Sequence, residues 1–138
     1  DAATDIEEEN NVYLPLELLN EEGLDHSDVG DTENADALVP VIERVTKRAE
    51  GYLDGAQQWL EAMPETRGNT LSAWAIPFLL AVGTIRELRE RPHDVVEQGN
   101  VKITRDEVHA VCQQFVGDSS PVIGELRNQI RRRPLHEY

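Results

Sequence analysis

At 138 residues the chain is long enough for one domain with a modest core. It carries 27 Asp+Glu against 13 Lys+Arg, a formal net charge of −14 with Lys47 and Lys102 its only lysines. That balance argues against nucleic-acid binding and matches the acidic surfaces by which salt-loving proteins stay hydrated; a lone cysteine, Cys112, excludes an internal disulfide framework and suits a reducing cytosol.

In chain order, Asp1 and Asp5 come first and would stand one turn apart on one helical face, so two carboxylates point the same way. Hard oxygen donors of this kind suit Mg²⁺, which takes one or two carboxylates and bridges to phosphates; a solvated acidic face is the plain alternative. Asn10 and Asn11 make a turn, and Pro15 opens a short helix that Gly23 ends. Residues 24–34 read as a polar loop. Its Asp25, Ser27, Gly30 and Asp36 have partial calcium-loop spacing, which Val29 and the absence of Glu at the twelfth place break.

From Ala35 to Met63 the apolar positions Leu38, Val41, Ile42, Val45, Ala49, Tyr52, Leu53, Ala56, Trp59 and Leu60 recur at three- and four-residue steps, the stripe of one long helix. Pro40 is tolerated near its first turn. Residues 64–69 break the pattern, and Leu71–Gly83 follows, apolar nearly all round and expected to be the most buried helix. It is read as too short to cross a bilayer, which takes about 18–20 apolar residues. No segment reads as a signal peptide. Pro77 should kink this helix, and Pro92 should stop its continuation.

A short helix or loop leads to Asn100–Thr104. Thr104 with Glu107 is a capping box, so a helix should start there and turn Val108, Val111, Cys112 and Phe115 inward. Ser120 and Pro121 should open a last helix, closed by Arg131, Arg132 and Arg133, which complement its dipole. A basic triplet can also touch an anionic membrane. No phosphate loop, dinucleotide fingerprint, nucleophile elbow or metal-ligand spacing of His or Cys occurs, and strands should be nearly absent.

The opening D-x-x-x-D, the polar turn and Val12-Tyr13-Leu14-Pro15 together resemble the second aspartate motif of the squalene/phytoene synthase family. The likeness continues in Pro15–Gly23 and in Arg48–Leu53, and by eye covers about residues 1–105. It implies an all-α fold, the C-terminal part of an isoprenoid-synthase-type helical bundle. On this resemblance residues 1–138 are expected to form a single all-α segment of that bundle, with the N-terminal half and its first aspartate motif missing. No second D-x-x-x-D occurs. The acidic balance points to a halophilic archaeal source.

The implied chemistry is Mg²⁺-dependent head-to-head condensation of two prenyl diphosphates. One substrate loses diphosphate to give an allylic cation, which the second chain attacks to form a cyclopropyl intermediate in an apolar pocket. Asp1 and Asp5 are then the metal ligands. Trp74, Phe78 and Leu79 are candidate channel walls, Tyr52 a cavity-facing or core residue, Lys102 and Arg67 candidate contacts for the anionic end. Squalene formation from farnesyl diphosphate needs NADPH; phytoene formation from geranylgeranyl diphosphate does not. Phytoene synthases commonly carry Arg-Gly-Arg where this chain has Glu9-Asn10-Asn11, which tilts the expectation toward squalene. The expected place is the cytoplasm, with peripheral contact to a membrane. The competing class is a non-catalytic helical module that binds a lipid or protein, with Asp1 and Asp5 as ordinary surface.

Overall fold

The computed structural model describes residues 12–63, 70–99, 101–117 and 121–138. Asp1 and Asp5, the Asn10-Asn11 turn, the break at 64–69 with Arg67, and Ser120 lie outside the described residues. Six α-helices are present among them and no strand: α1 Leu16–Glu21, α2 Ala35–Ala62, α3 Thr70–Glu90, α4 Pro92–Glu97, α5 Arg105–Gln113 and α6 Ile123–Ile130. Short 3₁₀ turns cover His26–Asp28, Thr32–Asn34 and Leu135–Glu137. Two compact units result. One takes the chain up to Arg48 together with Glu87–Val101, the other Ala49–Arg86 and Lys102–Tyr138.

In the first unit, α1 starts at Pro15, whose fixed φ presets an extended N-cap, and stops at Gly23, which takes φ +74 while Leu24 N–H donates to Leu19 O at 2.9 Å. A side chain there would be strained, so glycine is the residue that lets α1 end. The polar loop after it is capped rather than loose. Asp25 accepts from Ser27 N–H, Asp28 accepts from Asp25 N–H, and the bonds from Ser27 hold the Asp25 carboxyl below the usual carboxylate range. Leu18, Leu19, Leu24, Val29, Leu38, Val41, Ile42, Val95 and Val96 form this unit's core. Two pairs on its surface join distant parts of the chain: Arg44 with Glu21, and His93 Nε2 with Asp36 Oδ1 at 3.0 Å.

The second unit is built on the C-terminal half of α2, most of α3, α5 and α6. Leu60, Ala75, Phe78, Leu79, Val82, Val111, Ile123, Leu126, Ile130 and Leu135 are its buried core. Pro92 ends α3 as expected and becomes the first residue of α4. Thr104 caps α5, its Oγ1 accepting from Glu107 N–H at 3.2 Å.

Several expectations change. Tyr52 and Trp59 belong to the sequence stripe of α2 yet are 74% and 52% exposed, because the core side of the helix is taken by Leu53, Ala56 and Leu60. The apolar helix runs on to Glu90, as expected, but over its 21 residues it is, by length and composition alone, apolar enough to cross a membrane, where the run Leu71–Gly83 reads as too short. It is not buried all round: Ala75, Phe78, Leu79, Val82, Gly83 and Arg86 are inside, whereas Ala73, Trp74 and Pro77 face out. The last helix begins at Ile123 and not at Pro121, with Val122 as N-cap.

Candidate functional site

The candidate residues that fall within the described chain all lie in the second unit, and they occupy different surroundings. Phe78 and Leu79 are on the inward face of α3, packed into the core with Val82, Leu126 and Ile130. Trp74 sits one turn before Phe78 on the outer flank, 56% exposed, where its ring meets Trp59 edge to face at 5.6 Å and 81°. A T-shaped pair of this kind sets the positive edge of one ring against the negative face of the other. Tyr52 lies two turns before Trp59 on α2 and faces the same side of that helix. Lys102 is exposed on the segment that leads into α5.

Two charged groups go unmentioned in a reading by motif, and both sit at this core. Arg86 is 1% exposed and pairs with Glu107, also 1% exposed. Its Nη1 donates to Glu107 Oε1 and to Ile130 O, and its Nη2 to Glu107 Oε2, each at 2.8 Å. One guanidinium thus ties α3 to the first turn of α5 and to the last carbonyl of α6. The bidentate geometry engages both carboxylate oxygens, and both groups are buried. The capping pattern would have Glu107 reach back to Thr104; the buried guanidinium holds it instead. A signal for Arg86 exists in the sequence: it continues the phase of Ala75, Leu79 and Val82, and a charge on an apolar stripe requires a buried partner.

Arg127 is the second. It donates from Nη1 to Gln57 Oε1 at 2.8 Å and from Nη2 to Asp54 Oδ1 at 2.6 Å, and its guanidinium carbon lies 6.0 Å from the centre of the Phe78 ring. Its Nε is buried without a hydrogen-bond partner. The α6 helix approaches α2 closely here, since a Cβ on Gly124 would stand 3.0 Å from Gln57 Nε2. Nothing in the sequence pairs positions 54 and 57 with 127, because the contact depends on how two helices far apart in sequence align.

Among the described residues no group of three or more His, Cys, Asp or Glu is arranged to hold a metal ion. The donor set with the chemistry for Mg²⁺, two carboxylates four residues apart at Asp1 and Asp5, lies outside them. The family model for squalene/phytoene synthase matches residues 1–107, a span that contains that pair as well as α1 to α4 and the start of α5. No curated protein matches the chain. No solved structure matches it either.

Proposed function

The chain belongs to the squalene/phytoene synthase family, and from that premise we propose that it carries the second aspartate motif of an enzyme joining two prenyl diphosphates head to head. The family is one of prenyltransferases in isoprenoid biosynthesis, helical throughout, and binds prenyl diphosphates. The observation that carries the proposal is the match over residues 1–107, which includes Asp1 and Asp5.

In this reading Asp1 and Asp5 would hold Mg²⁺, which would offset the charge of the leaving diphosphate. The apolar side chains of α3 keep water from the allylic cation; a double bond of the second prenyl chain supplies the electron pair for the new carbon–carbon bond, and that chain gives up a proton as the cyclopropane closes. Trp74 and Tyr52, exposed in the described unit, are the side chains open to a substrate chain, whereas Phe78 and Leu79 are buried in the core. Lys102 takes the anionic end. The preferred substrate is farnesyl diphosphate and the product squalene, with NADPH as reductant, because Glu9-Asn10-Asn11 replaces the arginines common in phytoene synthases. The acidic balance supports a halophilic archaeal source, and the lone Cys112 a reducing cytoplasm, with peripheral contact to a membrane.

Binding tests this without turnover. Farnesyl diphosphate titrated into the full-length protein in molar KCl should bind only with Mg²⁺ present, and Asp1→Asn with Asp5→Asn should weaken it at least tenfold with the helical content unchanged. Equal binding with and without Mg²⁺, or in the variant, would contradict the assignment and favour a lipid-binding module in which the two aspartates are surface.

A further inference from the structure

Helix α2 sorts its charges by face. At about 100° per residue, its five acidic residues, Asp36, Glu43, Glu50, Asp54 and Glu61, fall within an arc of about 40°. On that edge Arg131 reaches Glu50 at 3.5 Å, Arg127 meets Asp54 at 2.6 Å, and Gln57 Nε2 donates to Glu61 Oε1 at 2.8 Å. The three cations of α2, Arg44, Lys47 and Arg48, lie outside the arc. Arg48 shares another side, about 100° wide, with Gly51, Tyr52, Gly55 and Trp59, all of them exposed. In a chain with 27 acidic residues against 13 basic ones, this side of a long helix carries no acid.

Two glycines inside a helix weaken it relative to alanine, so their presence requires a reason. Among the described residues none supplies one, because a Cβ on Gly51 or Gly55 would meet nothing within 4 Å. The space they leave has a defined outline. Tyr52, Gly55, Ala56 and Trp59 stand at i, i+3, i+4 and i+7, the four positions that frame a hole for a side chain of a facing helix. Gly55 puts no side chain of its own into that hole, and the Trp74 ring, 5.6 Å from that of Trp59, extends its rim.

The surroundings select the occupant. Tyr and Trp are the side chains that anchor protein interfaces, and a hole framed at helical spacing takes a knob from another helix. Arg48 stands one turn before Tyr52 with no carboxylate on its side of α2, so the complementary flank on the incoming helix is acidic. A nucleic acid is disfavoured by the net charge of −14.

We propose that the side of α2 around Gly55 docks an acidic amphipathic helix of a partner protein, one large apolar side chain of which enters the hole between Tyr52 and Trp59. The docking does not rest on the prenyl-transfer reading. Its consequence does: a helix seated there covers Tyr52 and Trp74 and so restrains a reaction that leaves them open to a substrate chain.

Trp59 and Trp74 are the only tryptophans of the 138-residue chain, so their emission reports this face without a label. The chain is titrated with a synthetic helix that has a leucine seam and glutamate flanks, and with the same helix flanked by lysine, neither containing tryptophan. At physiological ionic strength, where charges beyond about 8 Å are screened, the glutamate helix should shift the emission to the blue and bind at least about fivefold tighter than the lysine helix. Arg48→Glu should reverse that order. Gly55→Gln fills the hole from an open position, so it should weaken the glutamate helix at least about tenfold while the unfolding temperature stays equal or rises. No emission change with the glutamate helix, or full binding by Gly55→Gln, would overturn the proposal. Equal or tighter binding of the lysine helix would overturn it in favour of plain attraction to an acidic surface.

Discussion

At the scale of single residues, the second unit depends on one buried ion pair. Arg86 and Glu107 are removed from water, and two charges in that state are tolerated because each closes the other's hydrogen bonds and Ile130 O takes a remaining donor. Glu107→Gln or Arg86→Met alone should destabilise the protein by about 3–5 kcal/mol, since either leaves an uncompensated buried group. Arg86→Met with Glu107→Leu should recover most of that loss. Chemical denaturation of the three variants measures it, and a double variant as unstable as the singles would show that the pair does more than satisfy itself. The sequence displayed half of this. The phase of Arg86 on α3 demanded a partner, but capping logic assigned Glu107 elsewhere. Local rules cannot weigh a backbone N–H against a guanidinium from a distant helix.

At the scale of elements, glycine reports which helix faces are already covered. Gly83 sits where α3 meets the segment before α5, and a Cβ there would stand 2.9 Å from Ile103 Cγ2 and 3.3 Å from Glu107 Oε1. Gly51 and Gly55 on α2 have nothing within 4 Å of the same position. Gly83→Ala should therefore cost about 1–3 kcal/mol by overpacking, whereas Gly51→Ala and Gly55→Ala should each stabilise by about 0.5–1 kcal/mol through helix propensity. Thermal unfolding of each variant distinguishes the two classes. A loss at Gly51 or Gly55 would mean that another surface packs on α2.

Helix ends were the most legible features of the chain. Gly23, Pro92 and Thr104 act through backbone geometry within a few residues of themselves, so their effects appear in sequence as they do in structure. The inward face of α2 was less so. Tyr52 and Trp59 fit its apolar stripe, yet Leu53, Ala56 and Leu60 take the core, a choice that depends on where α3 and α6 lie. The start of α6 shifted for a similar reason, with Pro121 left outside and Ile123 buried as the first helical residue.

At the scale of the molecule, family membership, which the match over residues 1–107 shows, was readable in sequence from a short run, D-x-x-x-D followed by Tyr-Leu-Pro. The arrangement of the candidate residues was not, since apolar periodicity shows that Trp74, Phe78 and Leu79 are hydrophobic but not which of them faces the core. The structure separates them: Phe78 and Leu79 inside, Trp74 outside against Trp59.

The central claim, head-to-head prenyl transfer, is tested most directly by identifying the product. The full-length protein should be incubated in molar KCl with Mg²⁺ and either farnesyl or geranylgeranyl diphosphate, with and without NADPH, and the hydrocarbons separated by mass. The account predicts squalene from farnesyl diphosphate when NADPH is present. Phytoene from geranylgeranyl diphosphate without NADPH would keep the chemistry and correct the product, and no hydrocarbon from either substrate with a folded protein would contradict the claim itself.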